Sequence, residues 1–399
     1  MLVHARPASF PEIDALAKRW AIPAELGLPH PYFVVHDGSR GATTRVAGAE
    51  LLDFAGSDYL GLAADPAVAA AAKAAIDRYG TSVAASRVAS GERPIHRELE
   101  DALAAHLGTQ AALAFVSAHA TNVTVLGHVL SPADLIVYDA HAHDSIVQGA
   151  RLAGAQRRVF RHNDLGALDR ILSKATGKYR RVLVAVEGVY SMDGDIAPLP
   201  GLIELRDLHR VLLYVDDAHG IGVLGSSGRG LAEHWGVDPA TVDLWITLSK
   251  ALASAGGYVA GSSELVTYLR YSAPGFVYST GLAPSAAAAA LAALERLGAE
   301  PGRAAIAPAR ASLFRRLARA AGLDTGRSEE GTAIVPVMVG DTVTALQLAD
   351  RLWQAGIGAS PIVYPAVREG KARLRFMCNA HHTEADIRHA VAQLAALTS

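Results

Sequence analysis

Two ionisable residues at the ends of predicted buried strands mark a place where chemistry could occur. Lys250 follows the apolar run Leu244–Leu248 after a single serine, and Asp216 directly follows the run Val211–Val215. The two residues are 34 positions apart. An ammonium group at the end of a buried strand must be paired, neutralised or used chemically. Lys250 and Asp216 are therefore the first candidates for a reactive site.

The end of a third predicted strand indicates an anion-binding site. The run Leu113–Val116 is followed by residues 117–122, which predict the start of a helix. Backbone N–H groups at a helix start bind phosphate, and ligands gather beyond the carboxyl ends of parallel strands. A lysine for a Schiff base, an aspartate for a pyridine nitrogen and a phosphate site together suit pyridoxal 5′-phosphate (PLP). The residues themselves thus predict PLP as the cofactor.

The elements that must position these residues are short apolar strands separated by helices. The runs are nearly continuous rather than alternating, which is typical of strands buried on both faces of a mostly parallel sheet. The fold class is therefore predicted as α/β. The predicted strands of this sheet are Leu113–Val116, Leu135–Tyr138, Val182–Val186, Val211–Val215, Leu244–Leu248 and Tyr258–Ala260.

The chain is expected to have three parts. Residues 1–50 mix proline, glycine and charge and are predicted to form an N-terminal arm. Residues 51–289 contain the apolar runs and are predicted to form the large, cofactor-binding domain. Residues 290–399 have a different pattern, with fewer strands and two amphipathic helices, and are predicted to form a smaller α+β domain.

Composition excludes several classes of protein. The 399 residues carry 37 basic and 39 acidic side chains, so the chain lacks the basic excess of a nucleic-acid binder. The single cysteine, Cys378, excludes an internal disulfide framework. Residues Met1–Pro7 do not resemble a signal peptide, and no apolar run is long enough to span a bilayer. A cytoplasmic location without membrane contact is the expectation.

Several sequence blocks resemble the signatures of one enzyme family, the α-oxoamine synthases, which are fold-type I PLP-dependent enzymes. The resemblance extends from about Pro31 to the C-terminus. It implies a fold-type I transferase with a mostly parallel central sheet and a smaller C-terminal domain. The blocks are Asp58–Leu62, Ser86–Arg87 with Ser90–Gly91, His162–Asp164, Glu187–Asp195, Asp216–Gly220, Thr247–Lys250 and Tyr278–Thr280.

The resemblance implies roles around the cofactor ring for four catalytic candidates. Lys250 would form the Schiff base and move the α-proton of the substrate, and Asp216 would pair with the pyridine N–H. His219 would lie near the ring hydroxyl, and His143 would stack on the ring. Ser191 would also border the ring.

The resemblance also implies the remaining binding residues. Ala118, His119 and Thr247 would hold the phosphate, and Thr280 would reach the phosphate of the neighbouring subunit in a homodimer with shared sites. Arg375 would bind the carboxylate of the amino-acid substrate, a task that suits the planar guanidinium group.

The reaction implied by the resemblance is a decarboxylative Claisen condensation. A small amino acid and an acyl thioester, carried by coenzyme A or by a carrier protein, would give an α-aminoketone and CO₂. Small amino acids and acyl thioesters are thus the expected partners. No metal is expected, because the one candidate cluster, His141-Ala142-His143-Asp144, already supplies His143 to the cofactor.

Two departures from the family pattern fall near the expected substrate. Ser57 stands where the family usually has an asparagine that helps to bind the substrate carboxylate, so Ser57 is the candidate for that contact. Ala84-Ala85 replaces a Gly-Gly pair, and added methyl groups can reshape a pocket in which single methylenes matter. Two alternatives stay open: another fold-type I PLP enzyme, such as an aminotransferase or decarboxylase, and a non-catalytic PLP-binding protein.

Overall fold

The computed structural model describes residues 10–300 and 302–398. Part of the predicted N-terminal arm, including the segment Met1–Pro7, lies outside the described residues. Within the described part of the chain, no helix is both long and apolar enough to cross a membrane.

Helices and strands alternate along most of the chain. The helices are α1 (Pro11–Glu25), α2 (Pro66–Tyr79), α3 (Pro94–Leu107), α4 (Ala118–Val129), α5 (Asp144–Leu152), α6 (Leu165–Ala175), α7 (Leu199–His209), α8 (Leu231–Trp235), α9 (Ser263–Ser272), α10 (Pro274–Val277), α11 (Pro284–Ala299), α12 (Arg303–Ala320), α13 (Thr342–Gln354) and α14 (Glu384–Thr398). The strands are β1 (His36–Arg40), β2 (Thr43–Val46), β3 (Ala49–Asp53), β4 (Ala111–Phe115), β5 (Leu135–Asp139), β6 (Gln156–Phe160), β7 (Val182–Glu187), β8 (Leu212–Asp216), β9 (Leu244–Leu248), β10 (Gly257–Gly261), β11 (Ile334–Gly340), β12 (Ile357–Gly358), β13 (Ser360–Ile362) and β14 (Ala372–Met377).

The central sheet has the strand order β4-β10-β9-β8-β7-β5-β6. Strand β10 is antiparallel to both of its neighbours, and the other pairs are parallel. The six predicted strands of this sheet are confirmed, each within two residues of its predicted bounds. Strand β6 was not predicted, because its Gln156-Arg157-Arg158 start is exposed at the sheet edge and forms no apolar run.

Both faces of this sheet are covered. Leu213 and Val215 of β8 belong to one apolar cluster, whereas Tyr214 between them belongs to another, and all three side chains are buried. Successive strand residues point to opposite faces, so this division places a core on each side. The arrangement leaves only the strand ends open to a ligand.

A third core surrounds the small antiparallel sheet β11-β14-β13. Phe314 of α12 and Phe376 of β14 pack there against Phe54, which follows β3. Strand β3 also pairs in parallel with β12, which lies beyond the large sheet in sequence. Helix α11 crosses the expected boundary between residues 289 and 290, and its buried face lies in the core of the central sheet. The three-part division of the chain stays a prediction.

Candidate active site

Asp216 lies at the carboxyl end of β8 in the middle of the central sheet. Its side chain is buried, and Oδ2 accepts a hydrogen bond of 2.7 Å from Asn122 Nδ2. The backbone N–H of Ala218 donates to Oδ1 at 3.1 Å. These two donors hold the carboxylate of Asp216 in one orientation.

A hydrogen-bonded chain joins Asp216 to His143. Asn122 Nδ2 also donates to Ser145 Oγ at 2.8 Å, and Tyr214 donates to Asn122 Oδ1 at 2.5 Å. Ser145 Oγ lies 2.6 Å from His143 Nδ1, which also accepts from the Ser145 backbone N–H at 3.3 Å. Helices α4 and α5 thus fix the imidazole ring of His143 relative to the carboxylate of Asp216.

His219, in the turn after β8, is held by Tyr59. The hydroxyl of Tyr59 lies 2.6 Å from His219 Nδ1, and both side chains are buried. Burial lowers the pKa of His219 well below its ordinary value, and the nearby cations Lys250 and Arg375 lower it further. The ring is therefore neutral and offers one donor and one acceptor.

Lys250 lies just beyond the end of β9 and near two carboxyl groups. Burial lowers the pKa of Lys250, against the opposing charges of Asp216 and Glu187. Burial, reinforced by Asp216, raises the pKa of Glu187 well above its ordinary value. A lysine with a lowered pKa has a larger neutral fraction, which is the form that can act as a nucleophile or a base.

The predicted phosphate end is built by α4 and β9. Helix α4 begins at Ala118, and the N-cap Ser117 Oγ accepts from the backbone N–H of Ala120 at 3.0 Å. Thr247 of β9 is buried, and its hydroxyl has no hydrogen-bond partner among the described residues. Gly257 of β10 lets these elements approach, because a Cβ there would lie 2.5 Å from Ala118 N.

His119 also lies on α4 at this end of the site. Its ring centroid is 6.4 Å from that of His143, and the two rings meet edge to face. Burial keeps the pKa of His143 below its ordinary value against the opposing charge of Asp216, and Lys250 and His119 lower it further. The predicted residues around the ring and the phosphate thus lie in one place.

Arg375 brings the small sheet to the same site. It lies on β14, and its Nη1 donates to the backbone carbonyl of Ser191 at 3.0 Å. Burial lowers the pKa of Arg375, and its Nε has no hydrogen-bond partner among residues 10–300 and 302–398. A buried guanidinium group with a free N–H can take a carboxylate ligand.

Two predicted residues, Thr280 and Ser57, have no described contact with this cluster. Thr280 is exposed, and its backbone forms an isolated bridge with Ser86. Ser57 is half-buried, and its carbonyl accepts from Tyr59 N at 2.9 Å. The described contacts do not join either side chain to Lys250, so their roles stay predictions. Ala84 has φ of +52°, a left-handed conformation in which glycine is at ease and alanine is strained.

Sequence reasoning assigned no role to several residues that shape the site. Asn122 lies in the predicted helix start at residues 117–122 and Tyr59 in the block Asp58–Leu62, but neither residue type alone indicates a contact with Asp216 or His219. Glu187 ends β7 and is paired in register with Asp216 of β8. Its position directly after an apolar run is the same signal that identified Asp216, and it could have been used.

The residues present fit PLP. Asp216 can hold a pyridine N–H, Lys250 can attach to an aldehyde, and the start of α4 offers backbone N–H groups to a phosphate. The buried hydroxyl of Thr247 without a partner is a further donor at the phosphate end. A buried polar atom in this state is rare unless a ligand or water completes it. The fold and the site together define a PLP-dependent enzyme.

Comparisons with known proteins identify the class more narrowly. The aminotransferase class I and II family matches residues 49–394. The 8-amino-7-oxononanoate synthase of Geobacter sulfurreducens is 42% identical over 362 residues, which cover 90% of this chain and 91% of that protein. That of Symbiobacterium thermophilum is 41% identical over 350 residues, with coverage of 88% and 89%. A serine palmitoyltransferase from S. paucimobilis, with bound PLP–myriocin aldimine, has a TM-score of 0.93 at 27% identity, with 97% of each chain covered.

The chain belongs to the aminotransferase class I and II family and, within it, to the α-oxoamine synthases. It is a PLP-dependent acyltransferase that condenses an amino acid with an acyl thioester and releases CO₂. The predicted fold class, cofactor and reaction type are confirmed.

Proposed function

We propose that Lys250, Asp216, His143 and Arg375 form the reaction centre for a small amino acid and an acyl thioester. The main observation behind this proposal is that β8, β9 and β14 bring Asp216, Lys250 and Arg375 to one site. There, the pKa of Lys250 and of His143 is lowered by burial while Asp216 is held by two N–H donors. Bound PLP would supply an electron sink for the carbanion of the amino acid.

Lys250 is the group proposed to take and return the proton on the α-carbon. Burial lowers its pKa, which increases the neutral fraction of the amine that can accept this proton. The imidazole of His143, fixed through Ser145, would cover one face of the cofactor ring. The neutral ring of His219, fixed by Tyr59, would donate to the ring hydroxyl oxygen.

Arg375 is proposed to bind the carboxylate of the amino acid. Its Nη1 is anchored on the Ser191 carbonyl, so the guanidinium group is oriented before the substrate arrives. Ser57 is proposed as a second contact to that carboxylate. A small amino acid is favoured because Ala84-Ala85 adds two methyl groups where the family pattern has glycines.

A homodimer is proposed because Thr280 is exposed beside Tyr278, of which 87% is accessible. Both residues belong to the block whose family counterpart reaches the phosphate of the neighbouring subunit. A cytoplasmic location remains the expectation, and the carrier of the acyl group is either coenzyme A or a carrier protein.

The replacement of Lys250 tests this proposal most directly. After borohydride reduction of the wild type, mass spectrometry should find PLP attached to the peptide that contains residue 250. We expect Lys250→Ala to lose this attachment. Thioester-dependent CO₂ release should fall on the order of 10³-fold or more, because both the attachment point and the base are removed. Lys73→Ala, at an exposed position of α2, is the matched control and should retain both properties.

The products separate the proposal from its rivals. Release of CO₂ that requires an acyl thioester supports the condensation. Conversion of the amino acid to a keto acid without a thioester would indicate an aminotransferase. Full activity of Lys250→Ala would contradict the assignment of the site.

A further inference from the structure

A cavity of about 580 Å³ lies between residues 28–36, the β1-β2-β3 sheet and helix α13. This volume is within the range of about 300–1,000 Å³ that small-molecule sites occupy. The side chain of Tyr32 ties residues 28–36 to the far wall, because its hydroxyl donates to the Pro361 carbonyl at 3.3 Å. The walls are mostly apolar and include Val34, Val46, Leu51, Leu346, Trp353 and Ile362.

The cavity shares one residue, Arg375, with the proposed reaction centre. Arg375 lines it, and the same guanidinium group donates to the Ser191 carbonyl. Arg375 also lies close enough to Lys250 and His219 to lower the pKa of each. A substrate whose carboxylate is held by Arg375 would therefore have this apolar space beside it.

The charges on the cavity walls are unevenly distributed. The described lining contains one arginine, Arg375, and no lysine, and the proposed amino-acid carboxylate already engages this arginine. Two histidines, His30 and His36, also line the space. Two carboxylates, Asp53 and Asp350, also line the space. Asp53 Oδ1 accepts from the backbone N–H groups of Ala55 and Gly56, at 2.9 and 3.3 Å, and these contacts hold its carboxylate in place.

We propose that this cavity holds the acyl chain of the thioester substrate and selects a neutral aliphatic chain over one that ends in a carboxylate. This inference rests on the proposed function, because it uses Arg375 as the amino-acid carboxylate site. Each methylene of an alkyl chain gains from contact with the apolar walls. A terminal carboxylate would lose its hydration and meet Asp53 and Asp350, and the described lining offers it no lysine or arginine other than the engaged Arg375.

A matched pair of substrates tests the proposal on the holoenzyme. Heptanoyl-CoA and pimeloyl-CoA have the same number of acyl carbons and differ in a terminal methyl or carboxylate group. With glycine, alanine or serine as the co-substrate, we expect kcat/KM for heptanoyl-CoA to exceed that for pimeloyl-CoA by at least about tenfold. Equal values, or a preference for pimeloyl-CoA, would overturn the inference and leave the proposed function intact.

Binding of unreactive analogues separates a failed inference from a failed function. S-heptyl-CoA and S-(6-carboxyhexyl)-CoA are thioethers that cannot be attacked at a carbonyl, and their Kd values can be measured by titration calorimetry. Tighter binding of the heptyl compound by about tenfold supports the cavity assignment even where turnover is absent. Equal Kd values contradict it, whereas an absence of turnover with every thioester and amino acid contradicts the proposed function.

A substitution in the cavity wall tests whether the wall residue Val34 contributes to the choice between the two acyl chains. Val34 is half-buried, lies between the exposed Phe33 and strand β1, and lines the cavity. We expect Val34→Arg to shift the ratio of kcat/KM values towards pimeloyl-CoA by about tenfold, because it supplies the missing cation. Val34→Leu keeps the wall apolar and should leave the preference for heptanoyl-CoA in place. An identical shift in both variants would show that the acyl chain does not lie against Val34.

Discussion

Histidines in two neighbouring regions experience opposite electrostatic environments. Burial lowers the pKa of His143 and of His219 at the reaction centre, and nearby cations lower both further. His162 follows β6 and lies between two carboxylates, with Nδ1 2.8 Å from Asp139 and Nε2 2.6 Å from Asp195. Burial alone would lower the pKa of His162, but these carboxylates raise it to about 9.

This difference in pKa distinguishes groups that can exchange protons during the reaction from groups that stabilise the fold. A neutral imidazole or amine can accept a proton during the reaction, whereas a histidine fixed between two carboxylates stays charged at neutral pH. The His162 cluster is also connected to the small sheet. The ring of His162 stacks on that of His141 at 4.0 Å, and Asp193 contacts both His141 and Arg373, at 3.2 and 2.7 Å.

Of the changes that would test this comparison, we expect the largest effect from the replacement of Asp216, at the end of β8. We expect Asp216→Asn to lower kcat on the order of 10²- to 10³-fold, because a neutral amide cannot balance a protonated pyridine nitrogen. Steady-state kinetics of the PLP-loaded protein measure it, and calorimetry checks that the Tm is retained.

Asp217→Asn is the matched control. Burial raises the pKa of Asp217 to about 8, so its side chain is mostly protonated at neutral pH. It accepts from Leu231 N at 2.8 Å through Oδ2, a contact that an asparagine oxygen can preserve. We therefore expect kcat within a few fold of the wild type. Similar losses in both variants would show that burial at this strand end, rather than the charge of Asp216, governs the activity.

The site around Lys250 was accessible to sequence reasoning because its residues directly follow apolar runs. Asp216 and Lys250 could be located from those runs, and the Ser117 helix start could be located in the same way. The contacts of His162 with Asp139 and Asp195 could not be located from apolar runs, because β6 begins with Gln156-Arg157-Arg158 and looks like a charged loop. The partners of His162 also lie 23 and 33 positions away, on other elements.

Two further features required the three-dimensional structure. Arg373 looks in the sequence like a solvated charge on a strand, but it is 5% exposed and paired with Asp193. Strands β1 and β2 lie within residues 1–50, for which the sequence predicts only an arm, and β3 crosses the predicted boundary after residue 50. Their short and polar sequences give no clear alternation. The pairing of β3 with β12 depends on residues about 300 positions later, which local patterns do not report.

Removal of the charged histidine should cost stability rather than catalysis. We expect His162→Gln to lower the free energy of unfolding by about 3–5 kcal/mol, because Asp139 and Asp195 would be left buried without a cation. Urea denaturation measures this loss. His209→Gln removes a histidine that contacts a single, partly exposed carboxylate, Asp169, and should cost about 1 kcal/mol or less.

The pH dependence of that stability has a definite sign. The pKa of His162 in the folded protein is about 9, above its ordinary value, so its contribution is complete at pH values below the ordinary pKa. The contribution is then lost as the pH rises through 9. The wild type should therefore lose more stability than His162→Gln between neutral pH and pH 9.5. Parallel stability curves would contradict the charged state of His162.

The smallest expected effect concerns the hydroxyl of Thr247, which is buried without a described partner. Thr247→Val keeps the shape of the side chain, so the free energy of unfolding without PLP should change by less than about 1 kcal/mol. The Kd for PLP, from fluorescence titration, should rise about tenfold because the proposed phosphate contact is lost. Thr121→Val is the control, because the Thr121 hydroxyl already donates to the Ser117 carbonyl at 2.8 Å. That variant should lose about 1 kcal/mol without PLP, and an equal loss in Thr247→Val would mean that the Thr247 hydroxyl has a structural role.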